Sequence, residues 1–118
     1  MKIRIKGNSL RYRLTQSDVA QFLKTHLLQD STSFGDKQLI YELKATDAEA
    51  LTATFDGDKI TVAVPIAKAT ELAETNLVGF DGKDGDLYLL IEKDFQCLDE
   101  VAEDQSDNYP NPLAQKSI

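Results

Sequence analysis

Met1–Leu14 reads MKIRIKGNSLRYRL. Met1, Ile3 and Ile5 alternate with Lys2, Arg4 and Lys6. After Gly7-Asn8, residues Leu10, Tyr12 and Leu14 alternate with Arg11 and Arg13. A period of two marks a strand buried on one face. A two-residue loop that begins with glycine suits a type II′ turn, in which the glycine takes the positive φ. The register follows: Lys6 faces Ser9, Ile5 faces Leu10, Arg4 faces Arg11, Ile3 faces Tyr12 and Lys2 faces Arg13. A one-residue slip would set apolar against basic side chains, so the alignment is fixed by the apolar pairs. One face of this hairpin is then apolar. The other holds five cations, among them all three arginines of the chain.

Downstream, Thr15 reads as a helix N-cap with Asp18 completing a capping box. Val19, Phe22, Leu23 and Leu27 form the apolar stripe of a helix ending near His26 to Leu28. Gln29 to Asp36 (QDSTSFGD) reads as a loop. Lys37 to Ala45 alternates again, with Leu39, Tyr41 and Leu43 on one face and Ile40, Glu42 and Lys44 on the other. Thr46 to Glu49 is a turn. A second hairpin pairs Phe55 with Ile60, Ala53 with Val62 and Leu51 with Val64 around Gly57-Asp58; an Asp56-Gly57 loop would set Phe55 against Asp58. Pro65 opens a second helix with Ile66, Ala69, Leu72 and Ala73 on its apolar face, stopping at Asn76. Leu77 to Phe80 reads as a short strand, Asp81 to Gly85 as a turn, and Asp86 to Glu92 as a strand apolar on both faces and therefore central. After Phe95 the periodicity fades, and Asn108 to Pro112 is stiff and extended. The two hairpins are the only internal similarity. These elements predict an α+β fold: a curled antiparallel sheet of about six or seven strands with two helices, approaching a half-barrel. One domain spans residues 1–118, with an acidic, proline-containing segment from about residue 96 to 118 packed on it.

With 118 residues, 42% hydrophobic and 28% charged, the chain is long enough to bury a core and unlike a disordered sequence. No apolar run approaches the length of a membrane span, and no apolar stretch follows the basic N-terminus as in a secretory signal. One cysteine, Cys97, cannot form an internal disulfide, which points to the cytoplasm. The net charge of −7 argues against binding duplex DNA or anionic membrane through the whole surface. The charge is segregated, however. Residues 1–14 carry five cations and no acid, whereas residues 92–107 carry seven acids and one lysine.

Four stretches resemble a small family of uncharacterised bacterial proteins that carry a domain of unknown function. They are MKIRIKGNSLRYRLT at the start, VGFDG, LIEKDFQCLDE, and NYPNPLA near the end. The resemblance covers essentially the whole chain. It implies a bacterial, cytosolic protein, and it brings no activity, cofactor or site residue with it.

The candidate site is the basic hairpin face: Lys2, Arg4, Lys6, Arg11 and Arg13. Like charges facing each other across a strand pair cost up to about 1 kcal/mol, and here that happens twice. Arginine's planar fork suits a carboxylate or a phosphate. The counter-charge can be the chain's own stretch 92–107, a small anion or acidic partner, or simply solvent. A barrel lined with basic residues would hold triphosphate, as in the triphosphate-tunnel enzymes. Those need alternating acidic metal ligands on the first strand, where this chain has Lys2, Arg4 and Lys6. His26, the single histidine, reads as structural, and Cys97 as a buried thiol without a CxxC partner. Asp81 and Glu92 have the end-to-end spacing of a calcium loop, but Lys83 and Gly85 occupy ligand positions. No nucleophile–base set, metal or cofactor is expected. The reading is a non-enzymatic binding or interaction module with a protein or small-anion partner. Its alternative is a phosphate-ester enzyme or phosphometabolite binder that uses the same five cations.

Overall fold

A computed structural model describes residues 1–96 and 105–112. The chain runs β1 (Lys2–Ile5), β2 (Ser9–Leu14), α1 (Gln16–Thr25), β3 (Leu27–Ser33), β4 (Gln38–Thr46), β5 (Thr52–Asp56), β6 (Lys59–Pro65), α2 (Ile66–Glu74), β7 (Gly79–Asp84) and β8 (Leu87–Lys93). The eight strands form two four-stranded sheets, ordered β1-β2-β8-β7 and β3-β4-β6-β5. This corrects the expectation of one curled antiparallel sheet of six or seven strands. Each sheet is mixed: two antiparallel hairpins are joined through one parallel pair, β2 with β8 and β4 with β6. The reason lies in the helices. A helix of ten residues carries the chain about 15 Å from the strand before it, so the next hairpin starts a new ladder instead of extending the old one.

Both predicted hairpin registers hold residue for residue within the strands, from Lys2 opposite Arg13 to Ile5 opposite Leu10, and from Ala53 opposite Val62 to Phe55 opposite Ile60. Gly7 and Gly57 take the positive φ that their turns require, 53° and 59°. The Thr15–Asp18 capping box also forms: Asp18 N–H donates to Thr15 Oγ1 at 3.2 Å, and Thr15 N–H donates to Asp18 Oδ2 at 3.0 Å.

Three local expectations fail. Gln29 to Asp36 is mostly not a loop. Residues up to Ser33 belong to β3, an edge strand whose exposed polar side chains leave its backbone free to pair with β4. Leu27, counted in the helical stripe, therefore lies in that strand and is exposed, while its neighbour Leu28 enters the core. Asp81 to Gly85 is not a turn either: β7 continues to Asp84, and Gly85-Asp86 makes a third turn led by a glycine, with Gly85 at φ 62°. Finally, α2 ends at Glu74, two residues before the predicted stop at Asn76, because Thr75 is extended and its hydroxyl donates to Glu71 O.

The larger surprise is that the chain from β1 to β8 is duplicated. Hairpin–helix–hairpin (β1-β2-α1-β3-β4) repeats as β5-β6-α2-β7-β8, and each sheet takes the first hairpin of one half and the second hairpin of the other. The core repeats with it. Leu10, Tyr12, Leu14, Val19 and Phe22 recur fifty residues later as Ile60, Val62, Val64, Ala69 and Leu72, and all ten are buried. The parallel registers match too: Tyr12 lies beside Ile91 as Val62 lies beside Leu43. Helices α1 and α2 pack on each other and so join the two halves. The central position read for β8 is also found, between β2 and β7, with Leu89 and Ile91 fully buried.

Residues 105–112 run beside the end of β8. Tyr109 N–H donates to Asp94 O at 2.8 Å, Gln96 N–H donates to Tyr109 O at 2.7 Å, and Gln16 N–H donates to Asp107 O at 3.0 Å. Lys93 Nζ sits 4.9 Å from the Tyr109 ring centre and donates to Thr75 O. Burial pushes the Lys93 ammonium below its ordinary value. Cys97 and the acids Asp99, Glu100, Glu103 and Asp104 lie outside the described residues.

Two substitutions test this backbone. His26 closes α1 in the left-handed region at φ 61°, which costs an L-residue with a side chain about 1–2 kcal/mol. His26→Gly is expected to raise stability by about 0.5–1 kcal/mol after its own entropy cost, read as a higher thermal midpoint. At Gly79 a Cβ would fall 2.6 Å from Ile91 O and 2.8 Å from Glu92 Cβ, both fixed in the central strand. Gly79→Ala is expected to lose about 1–3 kcal/mol, read as a lower urea midpoint at unchanged slope.

Candidate functional site

The outer face of the first sheet carries the site, and its rows follow from strand order. Lys2 and Arg13 are followed across the sheet by Glu92, and Arg4 and Arg11 by Leu90 and Asp81. Ser9 is followed by Tyr88 and Lys83. All five predicted cations are thus brought onto one surface by β1, its following residue Lys6, and β2. The direct opposition of Arg4 and Arg11, and of Lys2 and Arg13, is also present.

The face divides into two ends. At the end away from the turn, Arg13 Nε donates to Glu92 Oε1 at 2.9 Å, and Arg11 Nε lies 3.5 Å from the same oxygen. Lys2 Nζ lies 3.0 Å from Asp94 Oδ2, and the Asp94 carboxylate is nearly inaccessible. Glu92 comes from the parallel neighbour β8 and Asp94 from the residue just past its end. The arginine side chains remain more than a third exposed, so these pairs contribute at most about 1 kcal/mol each. At the turn end, Arg4 and Lys6 have no carboxylate within 4 Å among the described residues. They line a pocket of about 160 Å³ with Ser9, Leu10, Arg11 and Tyr88. Tyr88 donates its hydroxyl to Asp81 Oδ2 at 2.8 Å, and that hydrogen bond, with Asp81's charge, raises the phenol pKa.

Sequence reasoning did not name Tyr88 as a neighbour of the arginines, and it held Glu92 and Asp94 only as part of a long acidic stretch. No local signal could find them, because the parallel pairing of β2 with β8 is what sets them there. His26 is exposed at the end of α1 and does not line the basic pocket. Among the described residues, no group of three or more His, Cys, Asp or Glu side chains is placed to hold a metal ion. Nor is any helix among them long and apolar enough to cross a membrane.

The second half offers a built-in comparison. At the fifty-residue offset of the repeat, Lys2, Arg4, Arg11 and Arg13 correspond to Thr52, Thr54, Thr61 and Ala63. That outer face is centred on Glu42, which accepts from Gln29 Nε2 at 2.9 Å and Thr61 Oγ1 at 3.0 Å, with Lys59 Nζ at 3.7 Å. Burial pushes the Glu42 carboxyl up. The two hydrogen bonds and the Lys59 and Lys44 charges outweigh it and leave the carboxyl below its ordinary value. A depressed carboxylate stabilises the fold above the unfolded-state pKa, and that contribution is lost as pH falls through the folded one. Glu42→Gln is therefore expected to lower the urea midpoint at pH 7, with the difference from wild type shrinking as pH drops below 4.5.

Comparison with known proteins adds a family and no chemistry. A model described as a family of unknown function (DUF7009) matches residues 1–113. No curated protein and no solved structure matches the chain. With almost its whole length covered by that model, this chain belongs to the DUF7009 family of unknown function.

Proposed function

We propose that the chain is a non-enzymatic binding module that takes the anionic group of a partner, a carboxylate or a phosphate, on the outer face of β1 and β2. The observation that carries the reading is the contrast between the two halves. The fold accommodates Thr52, Thr54, Thr61 and Ala63 at the positions where the first half concentrates Lys2, Arg4, Arg11 and Arg13. Facing like charges are mildly destabilising. Lys2 and Arg13 answer Asp94 and Glu92, but Arg4 and Lys6 have no carboxylate within 4 Å among the described residues, so ion pairing within the fold does not account for them. Glu92 and Asp94 offset one end of the face, which leaves Arg4, Lys6 and the free edge of the Arg11 guanidinium around the pocket beside Tyr88. A guanidinium and an ammonium converging on one small concavity suit an oxyanion, because charged hydrogen bonds are about twice as strong as neutral ones. Nothing in the comparisons supports the phosphate-ester enzyme.

Calorimetric titration with phosphate, pyrophosphate and citrate at low ionic strength tests the reading. Binding is expected to weaken with added salt. The Arg4→Gln/Lys6→Gln double variant is expected to lose at least about tenfold in affinity, roughly 1.4 kcal/mol. Glu92→Gln is expected to tighten binding by freeing Arg11 and Arg13. If none of the three anions binds the wild-type chain, or if the double variant binds them equally well, the reading is wrong.

A further inference from the structure

Beside the basic pocket lies a second concavity of different chemistry. A groove of about 310 Å³ opens between the ends of the two first hairpins, lined by Ile5, Leu10, Ala53, Phe55, Ile60 and Leu87. Its size falls at the lower end of small-molecule pockets, and its lining is apolar as such pockets are. Ile5 and Phe55 occupy equivalent positions of the repeat, and they are among the most exposed large apolar side chains, at 57% and 71%. Each already sits opposite a core residue, Leu10 or Ile60, so the pairing gains little from a large exposed side chain at these positions. Two such side chains facing one groove are an association liability unless something covers them.

What would cover them is indicated by the neighbouring charge. Ser9 and Leu10 line both the groove and the basic pocket, and Ile5 is followed directly by Lys6. Gly7, at the turn, lines the groove, and a Cβ built on it would meet no atom within 4 Å. A molecule seated in the groove can cross this low point of the hairpin and present a negative end to Lys6 and Arg4. Taking the anion reading above as its basis, we infer that the ligand is a free amphipathic anion, a carboxylate or phosphate on an apolar body. The body lies between Ile5 and Phe55, and the head lies on Arg4 and Lys6. Apolar burial supplies affinity and the cations supply orientation, the division of labour usual in small-ligand sites.

The test is a homologous series of soluble n-alkyl carboxylates, acetate to decanoate, titrated below micelle concentration and followed by amide chemical shifts, with inorganic phosphate and octan-1-ol as controls. Affinity is expected to rise by roughly two- to fourfold per added methylene until the groove is filled. Ala53→Trp, which occupies the groove, and Phe55→Ser, at an exposed position, are each expected to flatten that series while phosphate binds as before. The Arg4→Gln/Lys6→Gln variant is expected to weaken octanoate at least about tenfold and leave octan-1-ol unchanged; thermal melts establish that all variants fold. A flat series with phosphate still binding would overturn the groove assignment and leave the anion reading standing. Octan-1-ol binding as tightly as octanoate would overturn the link between groove and cations. Binding to anionic lipid vesicles without binding to monomeric decanoate would place the site at a membrane surface and overturn the free ligand.

Discussion

The parallel pairing of β2 with β8 is the constraint on which the rest depends. It joins residues near the start of the chain to residues near its end, sets Leu10 beside Leu89 and Tyr12 beside Ile91 in the core, and places Arg13 beside Glu92 on the surface. Parallel ladders need a long connection between their strands, and this one encloses nearly the whole protein. Its counterpart, β4 with β6, closes a much shorter span in the second sheet. Together they make each sheet a joint product of both halves, so neither hairpin–helix–hairpin unit can bury its apolar face alone. The two sheets and the packed helices share one hydrophobic core as a result.

Duplication of this kind separates what a fold needs from what a protein adds. Positions that recur with the same burial, such as Leu14 and Val64 or Phe22 and Leu72, are answers to a packing problem posed twice. Positions that recur in place but not in chemistry are free to carry function. On the outer faces the difference is large: guanidinium and ammonium groups on one side, threonines around a satisfied Glu42 on the other. The basic hairpin thus differs from its counterpart in the charge of its outer face and not in the packing of its inner one. Glu92 and Asp94 restrain its inner end and leave the turn end available.

The duplication left almost no trace in residue identities, because what repeats is the alternation of buried and exposed positions. Leu-Arg-Tyr-Arg-Leu and Ile-Thr-Val-Ala-Val share a pattern and not one residue. Both were read correctly as strands, and their likeness stopped there. The strand β3 was hidden for a related reason: at an edge, with side chains in water, Gln-Asp-Ser-Thr-Ser pairs through its backbone as well as an apolar segment would. In β7, Asp-Gly-Lys-Asp looked like a turn since its composition is that of turns, yet the chain reverses only at Gly85, the glycine with positive φ.

The sequence by itself determined the two hairpin registers, the Thr15–Asp18 cap, the cores of both helices and the gathering of five cations on one ribbon face. Each depends on residues within a few positions of one another, where side-chain alternation, glycine turns and capping hydrogen bonds act with little loop entropy to overcome. Only the tertiary structure decided that there are two mixed sheets, that the halves repeat, and that the acids beside the basic face are Glu92 and Asp94. Arg13 and Glu92 stand 79 residues apart, and they meet because two helices pack and two strands find a parallel register. No local pattern encodes that choice. The apolar groove next to the basic pocket arises in the same way, from hairpin ends that the packing of the two halves brings together.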